Sequence, residues 1–372
     1  MNIIILTQPL HLNYGGILQA YALQHVVKEL GHNVWTEDRK PNNNLSIHNI
    51  LLWSYQWLKN ILRIEYKPTN EELNIISQNI KLFINKYIST TEPIYSSSKE
   101  QFKKYSPNGY IVGSDQVWRP KFSYDIYNYF LDFTKNDNVK RIAYAASFGV
   151  SNWEFTRKET KRCAALIKQF DAVSTREEDG VKLCKEFLGV DAQWVLDPTL
   201  LLSDNDYFKL FASINYRKTE SYLMTYILNE TESNTKIVNK LSEYLGLNPR
   251  IILPKAKFAN VGPQKINECI LPSIESWLYS FYYADFVISD SFHGTVFSII
   301  FRKQFFTIDN PNNGSSRLRS LLNRYGLLNR LVTSVDDISE NLIKMKIDYD
   351  KVYEILNKDK KNSLEFLINS LK

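Results

Sequence analysis

One segment of the chain combines a proton carrier with groups that bind anions. Residues 284–301, ADFVISDSFHGTVFSIIF, form an apolar strand pattern followed by a polar turn and an apolar helical run. Histidine exchanges protons near neutral pH, and His293 lies in the polar turn. The start of the following helix offers free backbone N–H groups and about half a positive charge to a phosphate or carboxylate. The segment therefore predicts an anion site with His293 as its chief catalytic candidate.

Several residues around His293 could bind the anion through side chains or through the backbone. Gly294 has no side chain, so a ligand could approach the backbone closely there. The neighbouring serine, threonine and aspartate side chains can cap the helix or hydrogen-bond a ligand. In a purely structural alternative, Asp290 or Ser291 only caps the helix and His293 is a structural histidine. The candidate binding residues of this turn are Ser289, Asp290, Ser291, Gly294 and Thr295.

A second polar turn follows a predicted strand in IVGSDQVWRP, residues 111–120. Asp115 and Gln116 could hydrogen-bond sugar hydroxyls, while Trp118 offers an aromatic face to the C–H face of a sugar ring. Asp115 is also the second candidate, after His293, for a catalytic base. Alternatively, Trp118 fills the core between two domains, since tryptophan is usually mostly buried. The candidate binding residues here are Ser114, Gln116 and Trp118.

The first turn of the chain, LNYGGILQAYALQ, places two glycines immediately before a predicted helix. Backbone without side chains can approach either an anion or a partner domain, and both possibilities are open. The GxGxxG pattern of dinucleotide-binding folds is absent, so the turn is not interpreted as a nucleotide site. The candidate binding residues are Asn13, Tyr14, Gly15 and Gly16.

Two arginines could supply positive charge to a phosphate or carboxylate, because a guanidinium group offers a planar fork of donors. Arg176 lies in STREEDG, between a strand end and a helix start, and Arg317 lies in NNGSSRLRSLL. Each arginine also has a structural interpretation. Arg176 could pair locally with Glu177 or Glu178, and Arg317 could be a solvated helix residue.

Alternating strands and helices position these turns. Apolar runs such as NIIILT (2–7), YIVG (110–113) and DFVIS (285–289) predict buried strands. Their alternation with helical patterns predicts an α/β fold with two parallel-sheet domains. We expect an N-terminal domain (1–203) with a helical insertion (about 45–105), a C-terminal domain (204–335) and C-terminal helices (336–372) that pack across the domains.

Composition excludes several classes of protein. The 372 residues are 44% hydrophobic, and a net charge of +6 spread along the chain favours small anionic ligands or a membrane surface over nucleic acid. Three widely spaced cysteines are expected to be buried free thiols. Because no metal-ligand pattern or Walker loop occurs, we expect no metal and no cofactor. Without a long apolar run or a signal peptide, the protein is expected in the cytoplasm.

The segment IHNILLWSYQWLKNILRIEYK, residues 47–67, places apolar residues on one helical face, with Trp53 and Trp57 beside them. Such a helix could lie in a membrane interface, which would put the protein at the inner face of the membrane. The alternative is a helix packed on its own domain.

Six motifs, in this order, resemble the polysaccharide pyruvyl transferase family: NYGGILQAYALQ, GSDQVW, KRIAYAASFG, STREEDG, VLDPTLLL and ADFVISDSFHGTVFSIIF. The resemblance extends from about residue 1 to residue 330. It implies two Rossmann-like domains that face a cleft, as in GT-B glycosyltransferases. It also implies transfer of the enolpyruvyl unit of phosphoenolpyruvate onto two hydroxyls of a sugar in a surface polysaccharide precursor, which forms a pyruvate ketal and releases phosphate.

The resemblance also assigns roles to individual residues. The histidine of the family's second-domain turn falls on His293, and its first-domain arginine falls on Arg176, which would stabilise the charge of the donor. The arginine that often precedes the histidine by two positions falls on Ser291, so Arg176 or Arg317 would have to bind the donor's anion. The acceptor could be a lipid-linked oligosaccharide. Two other functions stay open: a GT-B glycosyltransferase that uses a nucleotide sugar, and a non-catalytic glycan-binding subunit.

Overall fold

The computed structural model describes residues 1–40, 66–123, 125–135, 137–214, 220–309 and 315–372. Over these ranges the chain forms two parallel β-sheets with helices packed on them and a long C-terminal helix. Most of segment 47–67, the proposed membrane contact, lies outside the described residues. None of the described helices combines the length and the apolar character that crossing a membrane requires.

The strands of the first sheet are β1 (Asn2–Leu6), β2 (Asn33–Thr36), β3 (Gly109–Val112), β4 (Lys140–Ala146), β5 (Ala172–Thr175) and β6 (Gln193–Trp194). They are parallel and lie in the order β2-β1-β3-β4-β5-β6. Ile3, Ile4 and Ile5 of β1 are fully buried on both faces of the sheet. Continuous apolar strands of this kind are typical of a parallel sheet covered by helices on both sides.

The helices of the first domain are α1 (Tyr14–Glu29), α2 (Asn70–Ile76), α3 (Gln78–Tyr87), α4 (Lys99–Phe102), α5 (Arg157–Ile167) and α6 (Glu178–Leu183). Helix α1 begins after Asn13, whose side chain accepts a hydrogen bond from the backbone N–H of Gly16 (3.2 Å). Helices α2 to α4 lie within the predicted helical insertion. Two isolated parallel bridges, Thr36 to Thr90 and Arg39 to Ile94, connect this insertion to the end of β2 and to the chain that follows it.

The second sheet contains β7 (Tyr222–Tyr226), β8 (Asn248–Ile251), β9 (Phe286–Ser289), β10 (Gln304–Ile308) and β11 (Leu331–Val332). Its strands are parallel, in the order β11-β10-β9-β7-β8. The accompanying helices are α7 (Asp204–Phe211), α8 (Glu232–Leu245), α9 (Phe258–Val261), α10 (Ile274–Tyr282), α11 (Phe292–Ile300), α12 (Ser315–Arg324) and α13 (Glu340–Lys344).

The last helix, α14 (Tyr349–Ser370), contacts both domains. The Tyr349 hydroxyl donates to the backbone carbonyl of Ser298 in the second domain (3.2 Å). Near the other end of the helix, the hydroxyl of Ser363 accepts a hydrogen bond from the backbone N–H of Leu196 in the first domain (3.0 Å). The C-terminal helix therefore ties the two domains together.

Both sheets reverse their winding direction beside their first strand. β1 lies between β2 and β3, and β7 lies between β8 and β9. Ligands of open parallel sheets bind outside the carboxyl ends of the strands at such a reversal. The turns chosen from the sequence follow β1, β3 and β9, so the topology places them where ligands of this architecture bind.

Candidate active site

A cavity of about 800 Å³ lies between the carboxyl ends of the two sheets. Residues after β1 and β3 form one wall, and residues after β7 and β9 form the other together with the start of α12. A cavity of this size accommodates a small anion and a sugar ring together. Of the candidates from the sequence, those that line it are Asn13, Asp115, Gln116, Asp290, Ser291, His293 and Arg317.

His293 is the histidine that the second domain presents to this cavity. Ser291 caps α11 by accepting a hydrogen bond from the backbone N–H of Gly294 (3.4 Å), which places His293 in the first helical turn. The residue is 6% exposed, and its Nε2 atom is buried without a hydrogen-bond partner among the described residues. Oδ2 of Asp197 lies 3.7 Å from this atom, within ion-pair range but too far for a hydrogen bond. Nε2 therefore faces a buried carboxylate and forms no hydrogen bond with the described residues.

Gly15 and Gly16 lie in the first turn of α1, not before the helix as the sequence suggests, and this turn contacts the second domain. A Cβ atom on Gly15 would lie 2.0 Å from Nδ1 of His293, so the imidazole packs directly on the glycine backbone. The neighbouring Tyr14 ring stacks on Trp277 with 5.7 Å between ring centroids, and its hydroxyl donates to the carbonyl of Pro272. Of the two possibilities for this turn, close approach to the partner domain is the one found. Tyr14 is a buried interdomain contact and does not reach the cavity.

Asp197, which follows β6, links functional groups of the two domains. It is 1% exposed, and its Oδ2 atom accepts hydrogen bonds from Nη1 of Arg176 (2.6 Å) and from the hydroxyl of Ser114 (3.3 Å). Its Oδ1 atom accepts two hydrogen bonds from Thr199. Burial acts to raise the pKa of Asp197, but His293 and Arg176 hold that pKa well below its ordinary range. Asp197 is therefore a carboxylate that offsets the charge of Arg176.

Arg176 is buried between two carboxylates. Besides the bond to Asp197, its Nη2 atom lies 3.5 Å from Oδ1 of Asp115. Glu177, the local partner considered from the sequence, instead accepts hydrogen bonds from residues 147–149. The positive charge of Arg176 is thus largely offset before any ligand binds.

Arg317 is a cation on the cavity wall with no ion-pair partner among the described residues. It lies in the first turn of α12, half-buried, and its Nε atom has no hydrogen-bond partner in the described chain. Burial and the nearby charge of Arg176 lower the pKa of Arg317 to about 10, which leaves the guanidinium charged at neutral pH. Arg319, two residues later, pairs with Asp309. Arg317 is therefore better placed than Arg176 to bind an incoming anion.

An uncommon backbone conformation directs Asp115 into the cavity. Its φ of +70° lies in the left-handed region, which aspartate tolerates better than most residues other than glycine. Its carbonyl accepts hydrogen bonds from the backbone N–H groups of Val117 (2.8 Å) and Ser147 (3.0 Å), which hold the turn in place. Strained backbone of this kind is concentrated at functional sites. The turn therefore brings Asp115 to the same cavity as His293.

The family model for polysaccharide pyruvyl transferase matches residues 13–313. This range includes the Asp115 turn, the turn before α11, Arg176 and Asp197. The chain belongs to the polysaccharide pyruvyl transferase family. The match confirms the resemblance seen in the motifs and makes the protein a transferase. No curated protein matches the chain.

Solved structures share the architecture of this pyruvyl transferase. UDP-GlcNAc 2-epimerase from Neisseria meningitidis, bound to UDP-GlcNAc, is 11% identical, with 100% of this chain and 99% of the other covered and a TM-score of 0.50. Arabidopsis thaliana UGT89C1, complexed with UDP-L-rhamnose, is 10% identical, with 98% of each chain covered and a TM-score of 0.54. At such identities the similarity shows the fold alone. It confirms the predicted two-domain, GT-B-like α/β architecture.

The turn before α11 in this pyruvyl transferase is held by its own polar side chains. The Asp290 carboxylate accepts hydrogen bonds from the backbone N–H groups of Leu228 (2.8 Å) and Asn229 (2.9 Å), both after β7. The Ser289 hydroxyl donates to the carbonyl of Tyr226 (2.9 Å). These contacts shape the cavity wall. The predicted binding residues Ser289, Gly294 and Thr295 are buried behind that wall, and Ser114 is buried in the first domain, where its hydroxyl donates to Asp197.

The prediction that Trp118 presents its aromatic face to a sugar ring is wrong, because the side chain does not reach the cavity. The residue is fully buried, its indole N–H donates to the carbonyl of Tyr129 (3.0 Å), and its ring stacks on Phe130 with 5.2 Å between ring centroids. These partners belong to the first domain, so Trp118 does not fill the interdomain core either. The φ of Asp115 turns the chain so that Asp115 and Gln116 reach the cavity while Trp118 points into its own domain.

Asp197 contacts two candidate residues, Arg176 and His293, but is not itself among the candidates from the sequence. The signal that could have found it is a single acid within the apolar stretch VLDPTLLL, because a buried carboxylate requires a positive or hydrogen-bonding partner. Across the described part of the chain, no group of three or more His, Cys, Asp or Glu side chains is arranged to hold a metal ion. The absence of a cofactor stays a prediction.

Proposed function

We propose that the enzyme uses phosphoenolpyruvate as its donor and forms a cyclic pyruvate ketal on two hydroxyls of a sugar in a surface polysaccharide precursor. Inorganic phosphate is released, and no cofactor takes part. The observation that carries the proposal is that two nitrogens without a hydrogen-bond partner in the described chain, Nε2 of His293 and Nε of Arg317, belong to residues that line one cavity. The first can carry a proton, and the second belongs to a cation that can hold a small dianion.

The donor needs positive charge because it carries both a phosphate and a carboxylate. Arg317 supplies a guanidinium without an acidic partner in the described chain, and the backbone N–H groups at the start of α11 supply further donors beside it. Arg176 is already bonded to Asp197 and lies close to Asp115. In this proposal Arg317 replaces the family arginine that is absent at Ser291, and Arg176 holds the two acids in position.

Ketal formation requires a proton on the methylene carbon of the donor, after which one sugar hydroxyl attacks C2. Loss of phosphate and attack by the second hydroxyl then close the ring. One of the two hydroxyl protons ends on the new methyl group, and the other leaves with phosphate. His293 donates the first proton, and Asp115, on the facing wall, accepts the proton of the attacking hydroxyl.

The donor can be tested before the acceptor is known. Phosphoenolpyruvate at millimolar concentration is expected to raise the Tm of the protein, whereas UDP is not. Incubation with phosphoenolpyruvate and a panel of hexosides and oligosaccharides is then expected to release phosphate only when an acceptor is present, with one pyruvyl unit gained by the sugar in the mass spectrum. Stabilisation by UDP instead of phosphoenolpyruvate would favour a nucleotide-sugar transferase. Sugar binding without phosphate release would favour a non-catalytic subunit.

A further inference from the structure

On the first-domain side, an aromatic residue reaches the cavity four positions after the buried Trp118. Phe122 lines the cavity and is 43% exposed, although a large apolar side chain is usually buried. It closes the short 3-10 turn Pro120–Phe122, which follows the Asp115 turn along the first-domain wall. We propose that Phe122 is the platform on which the ring of the acceptor sugar stacks. This inference rests on the proposed function, since it concerns the acceptor of that reaction.

The Phe122 ring is supported from one side by a rigid group. The guanidinium of Arg119 lies 4.6 Å from the ring centroid. Arg119 is 6% exposed, and Glu154 holds it through two hydrogen bonds, at Nε (3.1 Å) and Nη2 (3.2 Å). Its Nη1 atom also donates to the side chain of Gln116 (3.2 Å). One face of the ring therefore rests on a fixed cation, and the exposed part of the ring faces the cavity.

The groups around Phe122 match the two kinds of surface that a sugar ring presents. Lys121, Ser123 and Asp115 line the same wall and can hydrogen-bond the hydroxyl edge of a pyranose. The aromatic ring meets the apolar C–H face of the same sugar. Since His293 and Arg317 belong to the opposite wall, the acceptor lies on the first domain and the donor on the second.

Saturation-transfer NMR tests this subsite without any chemistry. Methyl β-D-galactopyranoside and methyl β-D-glucopyranoside are titrated into the full-length protein in the absence of phosphoenolpyruvate. We expect the C–H protons of one sugar face to receive the most saturation. Phe122→Ala is expected to weaken binding roughly 2- to 10-fold, the range for one lost aromatic contact. Phe122→Trp is expected to retain binding, since it keeps an aromatic face.

The control is Tyr95→Ala, which removes an aromatic ring that is 53% exposed and does not line the cavity. Binding to Phe122→Ala that equals wild type, no saturable binding to wild type, or an equal loss in Tyr95→Ala would each overturn the proposal. The Tm shift with phosphoenolpyruvate, measured on every variant, separates the two proposals. The Tm shift should persist in Phe122→Ala. If wild type shows no Tm shift, phosphoenolpyruvate is not the donor, but the sugar-binding data still test the role of Phe122.

Discussion

The imidazole of His293 rests on the backbone of Gly15, which belongs to the other domain. A Cβ atom at residue 15 would lie 2.0 Å from Nδ1, far inside any normal contact distance. The orientation of the imidazole therefore depends on the absence of a side chain at residue 15 in the first domain. Both domains are needed to position His293.

Gly15→Ala is expected to slow turnover roughly 10²-fold, because the new methyl group must displace the His293 ring. The overpacking should also destabilise the fold by about 1–3 kcal/mol. Gly109→Ala is the control, since its Cβ would meet only Lys140 and Ile3, at 3.3–3.9 Å, and Gly109 does not line the cavity. Steady-state kinetics and thermal unfolding measure both effects. Similar behaviour of the two variants would show that this contact does not position His293.

His293→Ala is expected to lower kcat roughly 10²- to 10⁴-fold, the usual contribution of a positioned proton carrier. Phosphoenolpyruvate should still raise the Tm of the variant, because Arg317 and the α11 backbone are intact. His25→Ala is the control: this histidine pairs with Glu29 outside the cavity. Near-normal turnover in His293→Ala would remove the catalytic assignment.

Arg317→Gln is expected to raise the KM for phosphoenolpyruvate roughly 10- to 100-fold, which corresponds to the loss of a hydrogen bond from a charged donor. Arg319→Gln lies on the same helix and removes the same charge, but Arg319 is paired with Asp309 and does not line the cavity. We expect its KM to stay close to that of wild type. An equal rise in KM for both variants would mean that the overall positive potential, and not a direct contact with Arg317, attracts phosphoenolpyruvate.

Asp197→Asn is expected to destabilise the fold by about 3–5 kcal/mol, because it leaves the buried Arg176 without its main partner. Asp191→Asn is the control, since the Asp191–Lys185 ion pair has the same 2.6 Å length as Asp197–Arg176 but is exposed. Loss of the Asp191–Lys185 pair should lower the free energy of unfolding by less than about 1 kcal/mol. Urea unfolding at neutral pH measures the stability of both variants. A loss of less than about 1 kcal/mol in Asp197→Asn would show that Asp197 is not needed to offset the charge of Arg176.

The contribution of Asp197 to stability is also expected to depend on pH. Its pKa in the folded protein lies below the ordinary value near 4, so in acid the unfolded chain binds a proton at this residue that the folded chain does not. The stability it provides is complete above about pH 4 and is lost as the pH falls further. The gap in unfolding free energy between wild type and Asp197→Asn should therefore narrow below about pH 4. A constant gap would show that the carboxylate charge is not responsible.

The fold follows closely from the sequence because its strands are short apolar runs between polar turns. The run predicted as a strand at 2–7 forms β1 at Asn2–Leu6, and that at 285–289 forms β9 at Phe286–Ser289. The polar turns after these strands reach the cavity because the carboxyl ends of parallel strands meet at one edge. Local patterns were therefore enough to place the site.

Side chains whose environment depends on distant segments could not be predicted in the same way. Trp118 and Tyr14 are aromatic residues next to functional turns, yet each is buried by rings from elsewhere in the chain. Asp197 bonds to Arg176, which is 21 residues away, and approaches His293 of the other domain. The bond to Arg176 requires β5 and β6 to pair, and the approach to His293 requires the two domains to pack. A local pattern can therefore mark the buried acid but cannot identify its partners.

The stack of Tyr14 on Trp277 makes the geometry of the site a property of the contact between the domains. Both rings are almost fully buried, and Gly15, which carries the imidazole of His293, is the residue next to Tyr14. A substitution that loosened this stack is therefore expected to move His293 relative to Asp197 without changing any side chain of the cavity.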